Sequence, residues 1–348
     1  MKLKIIFVLF GLLMGAGAGG IFYFVYHRAF HQEQRAKGIE FNSNADFRAQ
    51  MLDDKKAARA NRSDGVSFAS IINPNADDRI IYELRPNLDT RFTSVHVRTN
   101  SCGMRGPERP YAKPPGTYRI ALLGDSFAFG WGVEENQSFA QILEDELNRL
   151  TGGYPKVEVL NFGVPGYSTF QEVALFEEKG LEYDPDAVLV FFIDNDFDYP
   201  FFVRDNSSPN GVVESFSLSH KKKHVDPKLT ETKNIMRGLE PQKMLGELMK
   251  IDKPRGIKTF LTINPRRNWE WCLKRLSKSL AENEIDYIDL VPDFDRVVAD
   301  HGYTDNDLNL PNDLHPSVIR SRIYGELLTP PLWAEIERAR PEFAQPQK

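Results

Sequence analysis

Arg119-Ile120-Ala121-Leu122-Leu123 runs into Gly124-Asp125-Ser126-Phe127, so an apolar β-forming segment ends abruptly in a polar turn. A short continuous apolar run closed by glycine reads as a strand buried on both faces. Four further runs of the same texture follow: Val157–Asn161, Ala187–Ile193, Ile257–Ile263 and Tyr287–Leu290. Helical patterns lie between the first four. Ser138-Phe139-Ala140-Gln141 is a capping-box pattern, after which Phe139, Ile142, Leu143, Leu147 and Leu150 recur at helical spacing. Thr169-Phe170-Gln171-Glu172 repeats the cap ahead of a helix that Gly180 can end. Trp269 to Asn283 forms a further helix with Cys272, Leu273, Leu276 and Leu280 on one face, positions that read as core. Strand–helix alternation implies a parallel sheet covered on both sides. The expected fold class is therefore α/β, a three-layer α/β/α sandwich around a five-stranded parallel sheet.

This main domain is expected over 118–340, with an insertion over 198–256 between the third and fourth strands. The insertion carries Lys221-Lys222-Lys223, read as a solvated run, and a helix near Lys243–Ile251. Upstream, Ile81-Tyr82-Glu83-Leu84, Arg91-Phe92-Thr93 and Val95-His96-Val97-Arg98 read as short strands between turn residues, a small β layer over 80–117. Residues 29–79 are polar and read as a stalk. Before them, Lys2 and Lys4 precede an uncharged run from Ile5 to Tyr26. At ~1.5 Å per helical residue the run matches the ~30 Å hydrocarbon core of a bilayer. An N-terminal transmembrane helix over 1–28 is the expectation, with the main domain outside the cytoplasm, on the periplasmic side if the membrane is an inner one. A signal peptide cleaved after Ala16-Gly17-Ala18 is the alternative. Gly11, Gly15 and Gly19 would share one stripe of that helix, which permits homodimerisation or simply reflects the glycine content of membrane helices.

Composition narrows the function classes. A net charge of −5 leaves no basic excess for nucleic-acid binding. The two cysteines, Cys102 and Cys272, fit no metal-ligand spacing and read as unpaired thiols, although a bond between them stays open. Ser126 stands at the carboxyl end of the first main strand, where open parallel sheets bind their ligands. A serine hydroxyl needs a base, and the base needs an orienting group. Among seven histidines, His315 is the best placed, in Asn312-Asp313-Leu314-His315-Pro316-Ser317 after the last strand. On these grounds alone Ser126 reads more readily as a helix cap than as a nucleophile.

Four segments in chain order carry a resemblance to the SGNH, or GDSL-type, hydrolases. Gly124-Asp125-Ser126-Phe127 resembles the block with the nucleophilic serine, and Asn161-Phe162-Gly163-Val164-Pro165-Gly166 the block whose glycine offers a backbone N–H. Phe191-Phe192-Ile193-Asp194-Asn195-Asp196-Phe197 resembles the block whose asparagine donates, and Asp313-Leu314-His315-Pro316 the block with the histidine base. The resemblance covers Tyr118 to about Leu328 and extends loosely to Asn100-Ser101-Cys102-Gly103-Met104-Arg105-Gly106. It implies a nucleophile at Ser126, a base at His315 and an orienting acid at Asp313. It further implies an oxyanion hole from the Ser126 N–H, the Gly163 N–H and the Asn195 amide, with no metal or organic cofactor.

Two positions depart from the family pattern. Asp194 stands where many relatives have glycine, and a carboxylate there would oppose an oxyanion. Asn312 stands where many relatives place the acid, which leaves Asp313 as the partner of His315. The implied function is a serine esterase acting on an acyl, foremost acetyl, ester of a cell-envelope glycan or lipid. An acyltransferase with the same residues, or a membrane-tethered binding protein with a dead site, are the rival readings.

Overall fold

The computed structural model of the protein describes residues 66–197, 201–204, 212–214, 240–266, 268–311 and 313–341. The membrane run, its glycine stripe, Lys221–Lys223 and Asn312 lie outside these residues. Among the described residues no helix is long and apolar enough to cross a membrane.

The central sheet has five parallel strands: β5 (Thr117–Leu123), β6 (Lys156–Asn161), β7 (Ala187–Phe192), β10 (Lys258–Ile263) and β11 (Asp286–Ile288). Their spatial order is β11-β10-β7-β5-β6, which makes β5 the place where the winding reverses. Every residue of β5 and β7 is buried, as strands covered on both faces require. The short α1 (Ser126–Phe129), α2 (Phe139–Thr151), α6 (Val291–His301), α7 (Asp305–Leu308) and α8 (Val318–Ala339) surround one face. There Phe139, Leu143, Leu147, Phe294, Ile323, Tyr324 and Leu328 join Ile120, Leu122, Leu189 and Phe191 in one core. The other face carries α3 (Thr169–Glu178), α4 (Pro241–Asp252) and α5 (Trp269–Asn283). The expected three-layer α/β/α sandwich is thus present.

Local chemistry explains the helix ends. Ser138 Oγ accepts the Gln141 N–H and caps α2, while Gly152 closes it in the left-handed conformation. Cys272, Leu276 and Leu280 are buried under α5, and both cysteines are free thiols.

Two boundaries differ from the sequence reading. The folded region begins before residue 80: Phe68 and Ile71 are fully buried, and β1 (Ile72–Pro74) pairs antiparallel with β2 (Tyr82–Leu84). Polar neighbours such as Ser67, Asn73 and Asn75 mask that core, in which Phe68 packs on Tyr82, Phe92 and Phe202. A second hairpin pairs β3 (Asp89–Phe92) with β4 (Val95–Arg98), and a third pairs β8 (Phe202–Arg204) with β9 (Val212–Glu214). The end of the expected insertion is α4 itself, which packs between α3 and α5 as the crossover helix that a parallel β7–β10 step demands.

Candidate active site

Ser126, Gly163, Asn195 and His315 come from loops gathered at the carboxyl ends of β5, β6 and β7 and from the segment between α7 and α8. Asp125 sets the serine. Its Oδ1 accepts the Phe127 N–H at 2.9 Å and caps α1, while Gly130 ends the helix at φ +82°. Its Oδ2 accepts from Asn195 Nδ2 at 3.1 Å and lies 3.2 Å from Ser126 Oγ, so one buried carboxylate sits between the serine turn and the asparagine turn. Burial pushes the Asp125 carboxyl up, against the Phe127 N–H, the Asn195 amide and the nearby His315 charge.

Ser126 Oγ lies 2.8 Å from His315 Nε2. On the far side of the ring, Nδ1 lies 2.6 Å from Asp313 Oδ1, which also accepts the His315 backbone N–H at 3.0 Å. Leu314 faces solvent at 63% exposure, which lets the two polar side chains on either side of it share one face. Burial would raise the Asp313 carboxyl, but the charge and hydrogen bonds of His315 and the Trp131 N–H outweigh it and hold it below the usual range. Asp313 is therefore a carboxylate at neutral pH. A hydroxyl, an imidazole and a carboxylate joined in series can carry a proton away from the hydroxyl oxygen.

The donors are arranged differently from the expectation at one position. Gly163 is buried and its N–H donates to Asn161 Oδ1 at 2.9 Å, so it is already engaged. Gly163 is glycine for packing: a Cβ there would lie 2.3 Å from Phe129 N. Asn161 completes the lock by donating its Nδ2 to Ala128 O at 2.8 Å. In the same loop Gly166 is partly exposed, and its N–H has no partner among the described residues. The Ser126 N–H, at the start of α1, has none either. Asn195 keeps a second amide hydrogen beyond the one given to Asp125. The Asp194 carboxylate accepts from Asn268 Nδ2 at 2.7 Å.

Behind Asn195, Asp196 locks the turn: its Oδ2 accepts the Ile193 N–H at 2.7 Å, while its own N–H donates to Ile193 O at 3.1 Å. Asp196 and Glu172 are both buried, and burial, reinforced by neighbouring acids, pushes both carboxyls well up. A raised folded pKa means stability is fullest below the unfolded value of about 4.3 and declines as pH rises towards the folded one. Glu172→Gln removes one of these titrations. Thermal melts between pH 5 and 8 should show a smaller loss of Tm in the variant than in the wild type; equal slopes would contradict the assignment.

The upstream Asn100–Gly106 stretch also reaches the site. Asn100 Oδ1 accepts the N–H groups of Cys102 and Met104, both at 3.0 Å, and the turn delivers Arg105. Buried Arg105 donates to Phe129 O at 2.9 Å, to Gly130 O and to Val133 O at 2.7 Å. Burial, partly offset by Glu135 and Glu134, pushes this guanidinium down to about 10. Among the described residues no His, Cys, Asp and Glu cluster is arranged as a metal site.

Residues 122–319 match the GDSL-like Lipase/Acylhydrolase family, a span that contains Ser126, Gly163, Gly166, Asn195, Asp313 and His315. The chain belongs to this family. It is an ester-hydrolysing SGNH enzyme. Searching curated proteins gives no match. Similar solved structures include the psychrotrophic esterase EstA from Pseudoalteromonas sp., with 14% identity over 62% of this chain and 98% of that one and a TM-score of 0.41. The lipase/acylhydrolase from Enterococcus faecalis shares 16% identity over 63% and 96%, with a TM-score of 0.38. The acetyl xylan esterase AlAXEase shares 16% over 63% and 99%, with a TM-score of 0.40. The family assignment rests on residues 122–319 and not on these likenesses.

Proposed function

We propose that this GDSL-like hydrolase cleaves an acyl ester through a Ser126–His315–Asp313 triad. The single observation that carries the reading is the unbroken series Asp313 Oδ1, His315 Nδ1, His315 Nε2, Ser126 Oγ, with separations of 2.6 and 2.8 Å at its two contacts. Ser126 Oγ attacks the acyl carbonyl as its proton passes to Nε2. The same proton then goes to the departing alkoxide, and water repeats the sequence to free the acid. Asp313 keeps Nδ1 protonated and balances the imidazolium charge. The oxyanion is received by the Ser126 N–H, the free hydrogen of the Asn195 amide and the Gly166 N–H in place of that of Gly163. Each such donor contributes about 3 kcal/mol to the transition state.

The substrate in this proposal is an acyl, foremost acetyl, ester of a cell-envelope glycan or lipid. Support for that class is the uncharged run from Ile5 to Tyr26, which as a single membrane pass would hold the enzyme at the envelope with its site outside the cytoplasm. Labelling the full chain with a fluorophosphonate and mapping the adduct tests the chemistry. One stoichiometric adduct on Ser126 is expected; a protein that stays unlabelled, or labels elsewhere, would sink the triad.

A further inference from the structure

The Asp313 carboxylate gives only one oxygen to the imidazole; the other, Oδ2, accepts the Trp131 Nε1–H at 3.2 Å. The same indole lies almost parallel to the His315 ring, with centroids 4.9 Å apart and planes 17° from parallel. Phe127 approaches His315 as well, at 5.5 Å and 47°. Trp131 is 6% exposed and so has almost no face left for a substrate.

We infer that Trp131 is a positioning residue of the reaction, fixing His315 by its ring face and Asp313 by its N–H at once. The inference rests on the triad reading above. A carboxylate held through one oxygen can pivot about that bond, and an imidazole held through Nδ1 can tilt about it. Either motion lengthens the contact between Nε2 and Ser126 Oγ. An indole that stacks on the ring and binds the second oxygen opposes both motions.

Trp131 is itself braced from the segment before β5. Phe92 of β3 meets it edge-on, with centroids 5.0 Å apart at 83°. The Arg105 guanidinium holds the carbonyls of Gly130 and Val133 on either side of it. Gly132, at φ +70°, lets the loop close on the histidine segment, since a Cβ there would meet Leu310 Cδ1 at 2.3 Å. Leu310 in turn donates its N–H to His315 O at 2.9 Å and accepts the Asp313 N–H at 3.0 Å. The hairpin of β3 and β4 and the Asn100–Gly106 turn therefore act on the chemistry through one side chain.

The test is a double-mutant cycle on the full chain, read as kcat and KM on p-nitrophenyl acetate. Trp131→Phe keeps a stackable ring and removes the N–H; it should lower kcat about tenfold, as loss of one hydrogen bond to a charged group allows, with KM within about twofold. Trp131→Leu removes the ring plane too and should lower kcat further. In an Asp313→Ala background, where both acceptor oxygens are gone, adding Trp131→Phe should change kcat by less than about twofold. A purely structural role predicts instead the same factor in both backgrounds, and that result overturns the inference. So does a Trp131→Phe enzyme with unchanged kcat, or one altered in KM alone. Fluorophosphonate labelling of the wild type keeps the two proposals apart. Without an adduct on Ser126 the triad itself fails, whereas a labelled enzyme with additive Trp131 effects loses only this inference.

Discussion

Ser126→Ala is expected to lower kcat for p-nitrophenyl acetate by about 10⁶-fold, the order lost when a triad nucleophile is removed. Alanine leaves no atom to form the acyl-enzyme, and the 2.8 Å contact with His315 Nε2 disappears. The fold should not notice. Capping of α1 belongs to Asp125 Oδ1 and the Phe127 N–H, and the closing turn belongs to Gly130, so neither uses the serine hydroxyl. Asp125 Oδ2 keeps its bond from Asn195. Circular dichroism should be unchanged and Tm should move by no more than a few degrees. Residual catalysis from the oxyanion donors alone amounts to a small fraction of wild type. A variant retaining more than a few per cent of activity would place the nucleophile elsewhere.

The sheet was readable because its central strands carry apolar runs, Ile120–Leu123 in β5 and Ala187–Phe192 in β7, that are buried throughout. Ala187–Phe192 and Lys258–Ile263 fall within a residue of the runs that signal them. Phe68 and Ile71 were not readable, because their core is built with Tyr82, Phe92 and Phe202 from three distant segments and their own neighbours are polar. At the site, the side chains whose chemistry is their identity were legible: a serine after a strand, a histidine after the last one, a carboxylate beside it. Backbone donors were not. Gly163 and Gly166 are the same letter, and only the bond from Gly163 N to Asn161 Oδ1 shows which N–H is engaged. Trp131 was hidden for another reason. Its partner Asp313 lies 182 positions away, and nothing local in Gly130-Trp131-Gly132 marks a buried indole that donates to a carboxylate.

Asp313→Asn should lower kcat by about 10²- to 10⁴-fold, with KM little changed. The carboxylate accepts twice from His315, through Nδ1 at 2.6 Å and the backbone N–H at 3.0 Å, and once from Trp131. An amide has a single acceptor oxygen. If that oxygen stays with the Trp131 indole, the NH2 group faces Nδ1 and selects the tautomer protonated on Nε2. That tautomer cannot take the Ser126 proton. If the oxygen instead turns to Nδ1, the tautomer is right, but two N–H donors, of the amide and the indole, then meet and no negative charge balances the imidazolium. Both arrangements cost rate, by different routes, and neither removes the nucleophile. Asn312→Ala should cost less than about tenfold, since a neutral amide supplies no charge to lose and the acceptor role at His315 is already filled. Were Asp313→Asn to fall only a few-fold as well, the carboxylate would be a turn-former that happens to lie beside the ring, and a Ser126–His315 dyad would carry the reaction.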